Sequence, residues 1–110
     1  MSHYLIEGSY TGASAKAMVA SPTDRSVQAK SVVESLGGTF YHFFFALGDS
    51  DFILLCEAPD DSVVMAISLA VGASGSFSRI KTTKLITAAE AQQAMTRAKS
   101  AKYSPPAVGT

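Results

Sequence analysis

Apolar residues are densest between Gly37 and Pro59, in the run GGTFYHFFFALGDSDFILLCEAP. Two apolar stretches, Phe40 to Phe45 and Phe52 to Leu55, flank Gly48-Asp49-Ser50-Asp51, a composition that favours a tight reversal. The pattern predicts a β-hairpin whose strands are apolar on both faces, and such strands must be covered on both faces. A chain this short supplies helices for one face. A second copy of the protein is the expected cover for the other.

The remaining elements follow from the same kind of reading. His3 to Tyr10 alternates as a first strand, with Tyr4, Ile6, Gly8 and Tyr10 on one face and Leu5 and Glu7 on the other. Thr11 to Ala20 is an alanine-rich helical segment, broken by Ser21-Pro22-Thr23-Asp24, because proline disfavours helix in the residue before it. A second segment, Arg25 to Leu36, carries Ala29, Val32, Val33 and Leu36 on one stripe and stops at Gly37-Gly38. Asp60 and Asp61 open a third helix, Val63 to about Ser74, whose small residues Ala66, Ser68, Ala70, Gly72 and Ala73 predict close packing on the sheet. Phe77 to Ile86 is a fourth strand, and Thr87-Ala88-Ala89-Glu90 is a capping box starting a last helix to about Lys99. The order is β-α-β-β-α-β plus a terminal helix, the α+β ferredoxin-like arrangement. One domain is expected over residues 1–99, with residues 100–110 a tail that is extended or disordered and free to dock on a neighbouring surface.

Composition narrows the partners. Nine acidic and nine basic residues give a formal net charge of zero, which argues against a nucleic-acid binder. Only 16% of residues are charged, so part of the surface is expected to be buried by a partner. The lone Cys56 excludes an intrachain disulfide and a cysteine-rich zinc site. The amino terminus reads as the start of a strand and no stretch has the apolar length of a membrane span, so no membrane and a cytoplasmic location are expected.

From Tyr4 to Glu90 the chain resembles the GYD-domain family, small bacterial proteins with a dimeric α+β barrel fold. The resemblance is carried by Gly8-Ser9-Tyr10-Thr11, Glu34-Ser35-Leu36-Gly37-Gly38 and Phe43-Phe44-Phe45-Ala46-Leu47-Gly48-Asp49. Glu57-Ala58-Pro59-Asp60, Ala70-Val71-Gly72-Ala73-Ser74-Gly75 and Thr82-Thr83 complete it. It implies pairing of two sheets into a shared barrel. The family's turn usually carries a tyrosine before the last aspartate, where this chain has Ser50.

Candidate chemistry comes from the hairpin. If Asp49 and Ser50 form a two-residue loop, His42 lies opposite Glu57, sharing a face with Phe44 and Leu55. A histidine held by a carboxylate in an aromatic pocket is a candidate general base, joined by Glu7 if the first and third strands are neighbours. The plainer reading is a structural cross-strand pair, and a one-residue bulge would part it. Tyr10, Tyr41, Phe44 and Glu7 are the candidate ligand-binding residues, and the same rings read equally as core and interface filling. Asp49 and Asp51 are read as turn formers over cation ligands. His3 and His42 have no metal-ligand spacing, and no metal or cofactor is implied. Lys81 and Lys84 are read as a solvated edge or as contacts for an acidic ligand.

Two functions fit. The first is a homo-oligomeric module binding a small apolar ligand or another protein. The second is a cofactor-independent barrel enzyme (oxygenase, isomerase or lyase) using His42 and Glu57 on an apolar or aromatic substrate. A scaffold subunit latched by the Pro105-Pro106 tail is a third arrangement of the same parts.

Overall fold

A computed structural model describes residues 1–107 of the chain. Four strands and four helices run in the order β1 (Ser2–Tyr10), α1 (Gly12–Ala20), α2 (Ser26–Ser35), β2 (Thr39–Phe45), β3 (Phe52–Ala58), α3 (Asp61–Ala73), β4 (Phe77–Leu85) and α4 (Ala88–Ala98). The strands form one antiparallel sheet in the order β2-β3-β1-β4. This is the ferredoxin-like α+β topology. Residues 101–107 are exposed and form no helix or strand; Val108, Gly109 and Thr110, the end of the expected tail, lie outside the described residues.

Helix ends are set by local side chains, as the sequence pattern predicts. Thr11 Oγ1 accepts from Ser14 N at 3.2 Å, Asp60 Oδ1 from Val63 N at 3.1 Å, and Thr87 with Glu90 forms the reciprocal capping box. Asp24 Oδ1 accepts from Ser26 N at 3.0 Å at the start of α2. At the far end of α2, Gly37 takes a φ of +84°, the left-handed conformation open to glycine.

The core lies between the sheet and a helix layer on one face. Tyr4, Ile6, Phe52, Leu54, Cys56 and Ala58 point into it and meet Val33 of α2 and Val64 and Ile67 of α3. Along β3 every second residue is buried, while Ile53, Leu55 and Glu57 between them are only half-buried on the opposite face. That opposite face carries Leu5, Glu7, His42, Phe44, Lys81 and Thr83 as well, by strand register.

Three details depart from the sequence reading. The hairpin loop is not two residues long; Phe45 pairs with Phe52, and Ala46 N closes the loop on Asp51 O at 2.8 Å. The register therefore moves by two residues, which preserves the face of every side chain but changes its opposite number. The ladder also slips between Phe40 and His42, a bulge centred on Tyr41. Finally, only part of the small-residue set of α3 meets the sheet: Ser68 Oγ lies 3.2 Å from Thr82 Oγ1 of β4 and Ala66 is half-buried. Ala70, Gly72 and Ala73 are exposed, and the helix rests on Val64 and Ile67.

α4 leaves the body of the domain. None of its residues is buried, and the chain measures 60 × 36 × 23 Å. The radius of gyration is 18.3 Å, against about 13 Å for a compact chain of this length.

Gly8 marks the tightest backbone approach. A Cβ there would lie 2.1 Å from the Arg79 carbonyl oxygen, where β1 and β4 shift register beside Ser9 and Tyr10. Gly8→Ala must therefore push the central strand off β4. We expect a loss of about 2–4 kcal/mol in urea unfolding, whereas Gly12→Ala, with open space around it, stays within about 0.5 kcal/mol.

Candidate functional site

The candidate residues divide between the two faces of the sheet. On the open face Glu57 is the hub. His3 Nε2 lies 2.9 Å from Glu57 Oε1, and the same carboxylate, beside the Tyr41 hydroxyl, holds that phenol above its ordinary pKa. The His3 and Tyr41 rings stack at 5.9 Å with 14° between their planes. His3 sits there because β1 pairs antiparallel with β3, setting it directly opposite Glu57. Tyr41 reaches the cluster from its bulge, a device that re-aims a side chain. His3 Nδ1 is buried and has no hydrogen-bond partner among the described residues.

The expected His42–Glu57 pair is not formed. His42 lies opposite Leu55 and is exposed, stacking on Phe44 at 5.9 Å; Glu57 faces Thr39 on the β2 side. The longer loop and the bulge together displace the two residues along the strands. Glu7, also on the open face, has its carboxylate 3.9 Å from Lys81 Nζ and does not join His42. His3 was hidden from a hairpin-based count because its partner comes from β1, and only the sheet order reveals it.

Of the four proposed ligand-binding residues, Tyr41, Phe44 and Glu7 share the open face, whereas Tyr10 is on the helix side. There it packs on Phe77, Phe52 and Phe45 at 5.0, 5.5 and 5.8 Å. This aromatic group borders a cavity of ≈ 360 Å³ between α2, α3 and the sheet, floored by Ile6, Tyr10, Phe52 and Leu54 and edged by Arg25 and Gln28.

The hairpin loop is held from within. Arg79 Nη2 donates to Asp49 O and to Ser50 Oγ, both at 2.9 Å, so Ser50 is buried beneath the turn. Asp51 Oδ2 accepts from Tyr10 N at 3.0 Å. The Asp51 carboxylate thus serves the backbone of β1, while Asp49 takes part through its carbonyl oxygen. Among the described residues no group of three or more His, Cys, Asp or Glu is placed to hold a metal ion. Cys56 is buried, which pushes its thiol pKa up and makes it a poor nucleophile.

One cluster escaped the sequence reading. Tyr4 Oη donates to Asp61 Oδ1, and Lys84 Nζ lies 3.1 Å from the same carboxylate. The tyrosine hydrogen bond first, then the lysine, holds the Asp61 carboxyl below its ordinary range. Asp61 was readable only as an acid at a helix start. Its pairing with Lys84 requires β4 to lie beside β1, with Tyr4 opposite Lys84.

The fold and the site define a ferredoxin-like α+β domain with an uncovered sheet face. The GYD-domain family matches residues 4–95, and the chain belongs to that family. Its fold is similar to two solved structures. MtbAldR gives a TM-score of 0.52 at 15% identity, covering 78% of this chain and 52% of that one. The transcriptional regulator NMB0573 from Neisseria meningitidis, in complex with L-Met, gives 0.51 at 12% identity, covering 79% and 51%. The chain therefore spans about half the length of each. No curated protein matches it. Among the described residues no helix is long and apolar enough to cross a membrane.

The Glu57 hub has a measurable signature. The raised Tyr41 pKa means that the folded state holds the neutral phenol. That contribution is complete below the ordinary tyrosine value of about 10 and is lost as pH rises through the higher folded value. Glu57→Gln removes the charge, so Tyr41 should titrate at lower pH than in the unaltered protein, read from tyrosinate absorbance against a Tyr41→Phe control. An unchanged titration would remove Glu57 as the cause.

Proposed function

We propose that this protein is a homo-oligomeric module that closes its open sheet face on a second copy of the chain and binds a small molecule without transforming it. The uncovered sheet face carries this reading. The chain exposes 7623 Å², where a compact monomer of its mass exposes about 5,800 Å². The excess of about 1,800 Å² is well above the roughly 800 Å² that each partner contributes to a standard interface. Much of it belongs to α4, which has no layer of its own chain beneath it, and to the exposed residues 101–107; the share on the sheet includes Phe44 and Tyr41, 63% and 40% exposed.

A second copy suits this face because both signs of charge lie on it. Glu7 and Glu57 stand on the central strands, Arg79 and Lys81 on the edge strand, so two copies related by a two-fold axis can set opposite charges against each other. Ligand binding is supported by the cavity on the helix side and by the neighbouring fold solved with L-Met. Turnover loses its main support, since the base and carboxylate expected at His42 and Glu57 are not brought together.

Leu55 tests the reading. It lies at the middle of the open face, between Leu5 on β1 and His42 on β2. In sedimentation velocity, Leu55→Arg should convert the oligomer to monomer while circular dichroism stays unchanged, because a buried unpaired cation in each subunit costs several kcal/mol. A variant that keeps the parent's mass would contradict the proposed interface.

A further inference from the structure

The helix-side cavity has a chemistry of its own. It is ≈ 360 Å³, within the roughly 300–1,000 Å³ of small-molecule sites. Its floor and walls are mostly hydrocarbon and aromatic, from Ile6, Tyr10, Phe52, Ile67, Phe77 and Ile80. Among the described residues no Asp or Glu lines it, and Arg25 is its one formal charge.

Arg25 is placed at the start of α2 and its Nε is buried without a hydrogen-bond partner. Among the described residues it makes no ion pair. Its charge is felt at Tyr10: burial pushes the Tyr10 hydroxyl above its ordinary pKa, Arg25 pulls it back, and Asp51, whose carboxylate already accepts from Tyr10 N, adds a smaller push upward. A guanidinium donor withdrawn from water and left unpaired is costly, and a carboxylate satisfies it with two parallel hydrogen bonds. A single positive charge suits a monoanion; a phosphate dianion would meet only scattered hydroxyls from Ser14, Ser68, Ser74 and Ser76.

We propose that this cavity binds a small amphipathic monocarboxylate, its apolar body among Ile67, Phe77 and Ile80 and its carboxylate on Arg25. The proposal rests on the ligand-binding part of the function proposed above; the site lies on the face of the sheet opposite the proposed subunit contact, so ligand binding and oligomer formation can fail separately. The space beneath α3 then has a use: Ser68, bonded to Thr82 of β4 at 3.2 Å, and the small Ala70 leave room for the bound molecule at its edge.

The test uses the full chain, with octanoate as probe and octan-1-ol as its uncharged counterpart. Binding is followed by calorimetry and by the methyl resonances of Ile67, Ile80, Leu5 and Leu55. Octanoate should bind one per chain, move the Ile67 and Ile80 signals, and bind at least about tenfold tighter than the alcohol. Arg25→Gln should weaken octanoate by about 10- to 100-fold and leave the alcohol unchanged. Arg25→Lys, which keeps the charge and loses the fork, should fall between them, and it serves if Arg25→Gln does not fold. Ala70→Phe should block both probes. Equal affinity for acid and alcohol, shifts confined to Leu5 and Leu55, or no binding because another segment fills the cavity would each overturn the proposal.

Discussion

A four-stranded sheet with apolar residues on both faces, in a chain with helices enough for one, is the constraint on which everything else depends. β3 states it most clearly. Phe52, Leu54, Cys56 and Ala58 are buried under the helices, and between them Ile53 and Leu55 remain half-buried. Burying apolar area is the main favourable term in folding and in association, at about 25 cal/mol per Å². The helix-side face satisfies it within the chain. The other face retains its share, and α4 adds an arm that buries nothing of its own.

The aromatic residues are apportioned between these two environments. Tyr10, Phe43, Phe52 and Phe77 knit the helix side, with centroids 5.0–5.8 Å apart where they touch. Tyr41, His42 and Phe44 stand on the open side. The bulge at Tyr41 lets β2 serve both, by turning one ring toward His3 and Glu57 without changing the alternation that follows. The helix-side rings border a cavity; the open-side rings form part of a surface. A reading that pooled them into one pocket mixes two places that the sheet itself separates.

Most of the fold was legible because its signals are local or periodic. The Thr87–Glu90 capping box, the Gly37 stop and the alternation of β1 each depend on a few adjacent residues, and each appears as expected. The candidate pair was not legible because register is a long-range quantity. Loop length and a single bulge decide what opposes His42, and neither follows from the turn's composition: Asp51 bonds Tyr10 and Gly8 of another strand, and Ser50 takes Arg79 from a third. His3–Glu57 and Tyr4–Asp61–Lys84 bring together residues more than twenty positions apart, so only the sheet order places them. The space under α3 was missed for a different reason. Small residues permit close packing but do not enforce it, and here they border a void.

Native mass spectrometry of protein purified without added ligand counts the chains that share the open face. A dimer or higher oligomer is expected at low micromolar concentration, and any retained small molecule would appear as added mass in the same spectrum. A monomer at that concentration would contradict the proposed pairing, because the apolar face of the sheet would then be stable in water with nothing to cover it.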